Sequence, residues 1–231
     1  MKFLIKDSNK FDLHIHTIYS DGQDLPINIL RTAKSKGLEY IAFTDHNLDE
    51  ARGDFDKEEL EEMYEIKIIP GCEISAILNE KKIHLLAYNY NSIFTKIILP
   101  KIRKASKDKK YLSVKKVCSL IHLCGGKVVL AHPFKYKFDG QELVNEILPL
   151  RCIDGIECIH AYHTQEEIDY LLDVCDKNNL LVSAGSDFHF KNKKIRDDIE
   201  QTTIFELPVS NSSIEEQLTR AKQKYNVTKK R

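Results

Sequence analysis

Two histidines separated by one residue, in an alternating apolar and polar run at residues 11–17, most constrain what this chain can fold into. Side chains two residues apart along a β-strand point to the same face. We therefore expect His14 and His16 to lie side by side, and neutral imidazoles in pairs are good ligands for zinc, iron or manganese. The alternative interpretation is a pair of surface histidines on an edge strand.

The rest of the chain alternates short apolar runs with helical patterns. The apolar runs predict strands at residues 11–17, 40–44, 67–77, 82–88, 127–131, 155–160, 180–184 and 202–207. The helical patterns predict helices at residues 25–36, 58–65, 141–150, 164–177 and 212–225, and two more between 93 and 123. We expect Asp24 to open the first helix, Pro100 to break the 93–123 segment, and Ser113 and Thr164 to cap helices. Strands that alternate with helices predict an α/β fold of parallel strands, either a barrel or an open doubly wound sheet.

Length and composition indicate one domain that spans residues 1–231. A chain of 231 residues with 42% apolar residues buries one sizeable core. Its formal net charge of zero creates no overall attraction to nucleic acid or membranes, so we expect no stable binding of duplex nucleic acid. Near the N-terminus only three consecutive apolar residues separate two lysines, and no run approaches a membrane span, which favours a cytoplasmic protein.

Side chains of the metal-ligand type recur at the C-terminal ends of the predicted strands. In a barrel of parallel strands, the loops at this edge converge and build the active site. Taken singly, each such residue is more often a helix cap, a turn residue or a hydrogen-bonded core histidine. Their joint occurrence, with one H-x-H and one D-x-H pair, predicts a single metal-binding rim. The residues are His14, His16, His46, Glu73, His84, His132, Asp187 and His189.

The motifs that carry these residues resemble the polymerase and histidinol phosphatase (PHP) family of metal-dependent phosphoesterases. The resemblance runs from about residue 11 to residue 189 and implies a distorted (β/α)7 TIM-like barrel related to the amidohydrolases, completed by a strand and helix at about 200–226. The matching stretches are Asp12-Leu13-His14-Ile15-His16-Thr17, Ser20-Asp21-Gly22, Thr44-Asp45-His46-Asn47, Pro70-Gly71-Cys72-Glu73, Ile83-His84-Leu85-Leu86, Ala131-His132-Pro133 and Gly185-Ser186-Asp187-Phe188-His189.

The resemblance implies nine ligands around two or three divalent ions, which are manganese, zinc or iron, with magnesium also admissible. Metal coordination lowers the pKa of water from 15.7 to about 7, and the ions neutralise charge that develops on the phosphoryl oxygens. Asp187 is assigned a catalytic role as well as a ligand role. The implied groups are His14, His16, Glu73 and Asp187 for one ion, Glu73, His84 and His132 for a second, and Asp21, His46 and His189 for a third.

Residues 155–164 and 131–136 resemble one subgroup of the family, which contains small-nucleotide phosphatases and exonucleases. By this resemblance His163 donates a proton to the leaving oxygen or contacts phosphate, and Lys135 pairs with a phosphate as a point charge. The alternatives are an ordinary helix-entry histidine and a solvated loop lysine. Lysine cannot form the bidentate hydrogen bonds to phosphate that arginine forms. The short segment between His84 and His132 predicts an active-site entrance that is open to solvent.

The resemblance implies an enzyme that hydrolyses phosphate monoesters or diesters of nucleotides or short oligonucleotides. One rival function is a histidinol-phosphate phosphatase, and another is a non-catalytic metal-binding module. Residues 96–116 also carry nine basic side chains against Asp108 alone. A solvated helix face is the first interpretation of this basic stretch, and guidance of a nucleotide or short oligonucleotide to the site is the second.

Overall fold

The computed structural model describes residues 1–49, 56–189, 193–196, 199–201, 205–207 and 212–227. Within these parts the strands are β1 (Lys2–Phe3), β2 (Phe11–Ile15), β3 (Tyr40–Phe43), β4 (Lys67–Ile68), β5 (Gly71–Leu78), β6 (Lys81–Tyr88), β7 (Lys127–Leu130), β8 (Gly155–His160), β9 (Leu181–Gly185), β10 (Lys193–Arg196), β11 (Ile199–Gln201), β12 (Glu206–Leu207) and β13 (Ser212–Ser213). The α-helices are α1 (Pro26–Ser35), α2 (Lys57–Tyr64), α3 (Leu99–Lys107), α4 (Val114–Leu123), α5 (Gly140–Ile147), α6 (Gln165–Asn178) and α7 (Ile214–Val227).

Two sheets meet edge to edge around a common interior. One sheet has the order β1-β9-β8-β7-β6-β5, and the other has the order β2-β3-β4. At one junction the backbone N–H of His16 donates to the carbonyl of Phe188 over 2.9 Å, and at the other the N–H of Asn47 donates to the carbonyl of Glu73 over 2.7 Å. The sheets therefore form an interrupted ring, in agreement with the distorted α/β barrel that the family resemblance implies.

Strand β2 is buried along its whole length, so both of its faces are covered. The apolar side chains of Phe11, Leu13 and Ile15 join the hydrophobic core. The intervening Asp12 accepts hydrogen bonds from the backbone N–H groups of Ser186 at 3.0 Å and Phe205 at 2.8 Å. This buried carboxylate fastens the first long strand to the C-terminal part of the fold, as a buried polar group requires.

The expectation that all strands of the barrel are parallel is wrong, because β5, β6 and β7 pair antiparallel. The link between β5 and β6 is the two-residue turn Asn79 and Glu80, with φ of 46° and 67°. Positive φ at both central residues gives a turn whose twist matches an antiparallel hairpin. The predicted strand at 67–77 is also divided into β4 and β5, because Pro70 has no N–H for a sheet hydrogen bond.

Two predicted helix boundaries are wrong. Helix α1 begins after Leu25 with no side-chain cap, so Asp24 does not open it; the rigid ring of Pro26 occupies the first turn instead. The 93–123 segment does not break at Pro100, since a π-helical turn at Phe94–Ile98 runs directly into α3. Pro100 lies in the first turn of α3, directly after the π-helical turn, so its missing N–H coincides with the change from one type of helix to the other.

The predicted caps at Ser113 and Thr164 are confirmed. The hydroxyl of Ser113 accepts from the N–H of Lys116, and Thr164 and Glu167 form a reciprocal capping box. The strand predicted at 202–207 falls partly on residues 202–204, which lie outside the described residues. Its last two residues form β12. All six cysteines are free thiols. In the described parts of the chain, none of the helices combines the length and the apolar character needed to cross a bilayer.

Candidate metal centre

Glu73, near the start of β5, is the hub of a cluster of four histidines. Three of them follow the ends of β2, β3 and β7, whereas His84 lies in the middle of β6, so the prediction that every donor lies at a C-terminal strand end is wrong for Glu73 and His84. Its Oε1 lies 2.8 Å from Nδ1 of His84 and 2.8 Å from Nε2 of His132. Its Oε2 lies 3.0 Å from Nδ1 of His46 and 3.2 Å from Nε2 of His16. The carboxylate is buried. One buried side chain therefore contacts imidazoles that follow or lie on four other segments of the ring.

The innermost group of donors consists of His14, His16, Glu73 and Asp187, all buried. The two Nε2 atoms of the histidines are 3.1 Å apart. Oδ1 of Asp187 is 3.4 Å from Nε2 of His14 and 3.2 Å from that of His16, and Oε2 of Glu73 is 3.5 and 3.2 Å from the same atoms. Donors that share one tetrahedral ion at a bond length near 2.05 Å lie about 3.3 Å apart. The spacing of this group therefore suits a shared cation.

A second group lies towards solvent and contains His16, Asp21, His46 and His189. Oδ2 of Asp21 is 3.2 Å from Nε2 of His189 and 3.5 Å from Nε2 of His46. Oδ1 of the same carboxylate is 3.5 Å from Nδ1 of His16. Asp21 is 53% exposed and His46 is 28% exposed, so the centre is open on this side.

A third group joins His46, Glu73 and His84, and His132 contacts the same Glu73 oxygen as His84. The structure thus brings all nine residues named by the resemblance into adjoining groups. His16 and His46 each lie in two of these groups, whereas the resemblance places each of them in one. Glu73 also lies in two groups, which is the position of a bridging ligand.

Hydrogen bonds fix the protonation of two ring nitrogens. Nδ1 of His14 lies 3.0 Å from Oε1 of Glu157 and donates to it, so Nε2 is the nitrogen that faces the innermost group and that could bind a metal once it is deprotonated. Nδ1 of His189 donates to the backbone carbonyl of Asp187 over 2.7 Å. Its Nε2 faces the Asp21 carboxylate at 3.2 Å. This contact is held by a proton on Nε2 or by a cation that lies between the two groups.

The electrostatic balance of the centre also fits cations. Four carboxylates lie in the centre or contact it, namely Asp21, Glu73, Glu157 and Asp187. Among the described residues, Lys135 is the only lysine or arginine that forms an ion pair with any of them. Burial opposes ionisation, but Lys135 and His14 hold the pKa of Asp187 well below its usual range. Within the described chain, Nδ1 of His132 is buried without a hydrogen-bond partner, and Oδ1 of Asp187 faces Nε2 of His14 and of His16 at 3.4 and 3.2 Å. Buried negative charge and unsatisfied lone pairs are what divalent ions satisfy.

The two predicted substrate residues, Lys135 and His163, lie in different surroundings in the structure. Lys135 contacts Oδ2 of Asp187, and its Nζ lies 5.4 Å from the ring centre of Tyr162, so the side chain belongs to the metal centre. His163 is fully buried, and its Nδ1 donates to the carbonyl of Cys158 over 2.9 Å. Burial lowers the pKa of His163 to about 4, so the imidazole is neutral near pH 7. Its ring lies 5.2 Å from that of His160, beside the centre.

Sequence reasoning missed two residues of β8 that belong to this site. The side chain of Glu157 bonds Nδ1 of His14 and accepts the backbone N–H of His132 over 2.9 Å. Nε2 of His160 lies 3.6 Å from Oδ2 of Asp187. The pairing register of β8 with β9 shifts between Glu157 and Ile159. This irregularity allows Glu157 and His160, which are three residues apart, to point to the same side of the strand, towards the centre. The available signal was a glutamate inside an otherwise apolar strand, which is costly to bury without partners.

Substitution of Glu157 by glutamine should weaken metal binding about 10- to 100-fold while the fold persists, because the variant loses the charge that orients the His14 ring. Metal titration followed by isothermal calorimetry measures the change. Glu62→Gln, an exposed glutamate on α2, is the matched control and should bind metal as the wild type does. Equal metal affinity of the Glu157→Gln variant and the wild type would contradict the orienting role.

The fold and this site define an α/β protein with a cluster of histidines and carboxylates that could hold metal ions. The PHP domain family matches residues 12–192. The chain belongs to the PHP family, and it is a metal-dependent hydrolase of phosphoester bonds.

Comparison with known proteins agrees with this membership. An uncharacterised protein of Methanocaldococcus jannaschii is 32% identical, over 67% of this chain and 83% of that protein. A 5'-3' exoribonuclease of Haemophilus influenzae is 24% identical, over 79% of this chain and 91% of the enzyme. The solved structure of an amidohydrolase from Chromobacterium violaceum, with sulfate bound and no metal, has a TM-score of 0.71 at 17% identity and covers 91% of this chain and 96% of its own.

Proposed function

We propose that this chain hydrolyses phosphate monoesters or diesters of nucleotides or short oligonucleotides. The observation that carries the proposal is the position of Glu73, whose two oxygens lie within 3.2 Å of four imidazoles from separate segments. Two or three bound divalent ions supply an activated water and neutralise phosphoryl charge. The proposed ligands are His14, His16, Asp21, His46, Glu73, His84, His132, Asp187 and His189.

The protein's own groups then orient the ligands and hold the substrate. Glu157 keeps the proton of His14 on Nδ1, so that its Nε2 is free to bind metal. Asp187 contributes one oxygen to the innermost group and contacts Lys135 with the other. We propose that Lys135 turns to the phosphate when a substrate binds, because its ammonium already lies at the centre and is partly exposed.

His163 is proposed as the proton donor to the leaving oxygen or as a contact to phosphate. In the substrate-free protein the pKa near 4 keeps the ring neutral, with Nε2 buried and unsatisfied within the described structure. A phosphate group near Nε2 raises the pKa of an imidazole by charge attraction. Proton donation by His163 is therefore a step that only the substrate complex can support.

The solvent-facing side of the centre favours a nucleotide or the end of a nucleic-acid chain as the substrate over histidinol phosphate. Asp21 and His46 are the exposed members of the centre, and the similar Haemophilus influenzae protein is named as a 5'-3' exoribonuclease. A chain end requires access to the centre from solvent. This access supports nucleotides or short oligonucleotides as the substrate class.

A substrate comparison with the manganese-loaded protein tests the proposal. The substrates are nucleoside 5'-monophosphates, a 5'-phosphorylated RNA pentamer and histidinol phosphate. We expect kcat/KM for the best nucleotide substrate to exceed that for histidinol phosphate by about tenfold or more. A preference for histidinol phosphate would replace the proposal with that rival. No turnover of any phosphoester at full metal occupancy would favour a non-catalytic metal-binding module.

A further inference from the structure

A cavity of about 490 Å³ opens beside the metal centre, between the loop after β3 and helix α3. This volume lies in the range of small-molecule binding sites in proteins. Its lining includes Asn47, Leu48, Leu99, Arg103, Lys104 and Lys107.

Asn47 connects this cavity to the metal centre. It directly follows His46, and its backbone N–H donates to the carbonyl of Glu73 over 2.7 Å. Its side-chain oxygen accepts from the N–H of Ser75 at 3.3 Å, and its amide nitrogen donates to the hydroxyl of Ser106 at 3.4 Å. One wall of the cavity is thus bonded both to the hub strand and to the helix that carries the basic residues.

The chemistry of the lining suits a single-stranded nucleic acid. Three basic side chains, on one turn and a half of α3, face one carboxylate, that of Asp49, in the same lining. Lys104 and Lys107 are exposed, whereas Leu48 and Leu99 are buried and provide an apolar surface. Single-stranded nucleic acids bind where cations meet the phosphates and apolar or aromatic surface meets the bases.

The plainer explanation of the basic turn is stabilisation of the helix itself. Lys104 and Lys107 lie in the last turn of α3, where positive charge interacts favourably with the helix dipole. That explanation accounts for the charges on the helix. It accounts neither for the cavity between the helix and the loop after β3 nor for the bonding of its wall to the strand of Glu73.

We propose that this cavity binds the part of a single-stranded oligonucleotide that extends beyond the phosphoester under attack, with its phosphates against Lys104 and Lys107. The inference rests on the proposed function, because it assigns the cavity to the same substrate. Of the basic stretch at 96–116, only residues on one face of α3 line the cavity. Lys115 and Lys116, on α4, lie outside it.

The test is the binding of a fluorescein-labelled, 5'-phosphorylated RNA pentamer with phosphorothioate linkages to the manganese-loaded full chain, measured by fluorescence anisotropy. The double variant Lys104→Gln/Lys107→Gln should raise Kd about tenfold at low salt, since two exposed ion pairs are lost. The slope of log K against log salt should become shallower by about 1.4. Lys115→Gln/Lys116→Gln removes the same charge from the same basic stretch and should leave Kd within about twofold of the wild type.

The outcomes separate this inference from the proposed function. Equal Kd values for the two double variants would overturn the assignment of the cavity, even where the wild type hydrolyses nucleotides. A selective loss of binding in Lys104→Gln/Lys107→Gln would support the cavity, even where no phosphoester is hydrolysed. Melting temperature and manganese content establish that both variants retain the fold and the metal centre.

Discussion

Glu73→Gln should lower kcat/KM for phosphoester substrates by about a thousandfold or more and reduce the bound metal, because metal ions contribute several kcal/mol to stabilisation of the transition state. The amide has the size of the carboxylate but lacks its charge, and one oxygen becomes an N–H donor. Either orientation of the amide turns that donor towards His84 and His132 or towards His46 and His16. Steady-state kinetics and elemental analysis of the purified variant measure the two effects.

Glu62→Gln is again the matched control and should keep wild-type activity and metal content, since Glu62 is exposed on α2. The Glu73→Gln variant keeps the size of the side chain but loses the charge that pairs with His46 and its neighbours, so we expect a folded protein with a lower melting temperature in the absence of metal. Circular dichroism checks the fold. Full metal content with wild-type turnover in Glu73→Gln would contradict the bridging role of this carboxylate.

The sequence predicts much of the convergence of the site, because most of the donors lie at or just after the C-terminal ends of strands. His14 and His16 share a face of β2 and its continuation, so strand alternation locates these two donors. Asp187 and His189 follow β9, and the positive φ of Asp187, 53°, takes them out of the extended conformation, so alternation does not explain their proximity. The structure brings all four into contact. The roles of all four as metal ligands stay predictions, but the proximity of His14 and His16 follows from alternation, and that of the two pairs follows from the common edge of the strands.

Other features depend on tertiary contacts that no local pattern reveals. The inward position of Glu157 arises from the irregular pairing of β8 with β9, and a strict period of two would separate it from His160. The hairpin between β5 and β6 uses Asn79 and Glu80, and a glutamate with φ of 67° is not a usual turn signal. Packing against neighbouring strands decides such positions, so local propensity alone does not predict them.

Removal of metal by a chelator should abolish turnover and lower the melting temperature, and added manganese should restore both. A ligand at a thousand times its Kd stabilises a protein by about 4 kcal/mol. For a chain of this length that corresponds to a loss of about 10 °C. The physical cause is the group of buried carboxylates, Glu73, Glu157 and Asp187, which loses its counter-charge when the metal leaves. Turnover that persists after exhaustive chelation, or an unchanged melting temperature, would contradict the metal centre.

The fall in melting temperature on chelation should grow as the pH rises, because protonated histidines replace the metal charge in the metal-free protein at low pH. Burial lowers the pKa of His46, but the carboxylates of Glu73 and Asp21 outweigh burial and raise it to about 10. A folded-state pKa above the unfolded value of about 6.5 gives stability that is complete below pH 6.5 and is lost as the pH rises towards 10. Metal binding opposes this trend, since its ligands must be deprotonated. The difference in melting temperature between the metal-loaded and metal-free protein should therefore be larger at pH 8.5 than at pH 6.5, and Glu73→Gln should show a smaller difference at both.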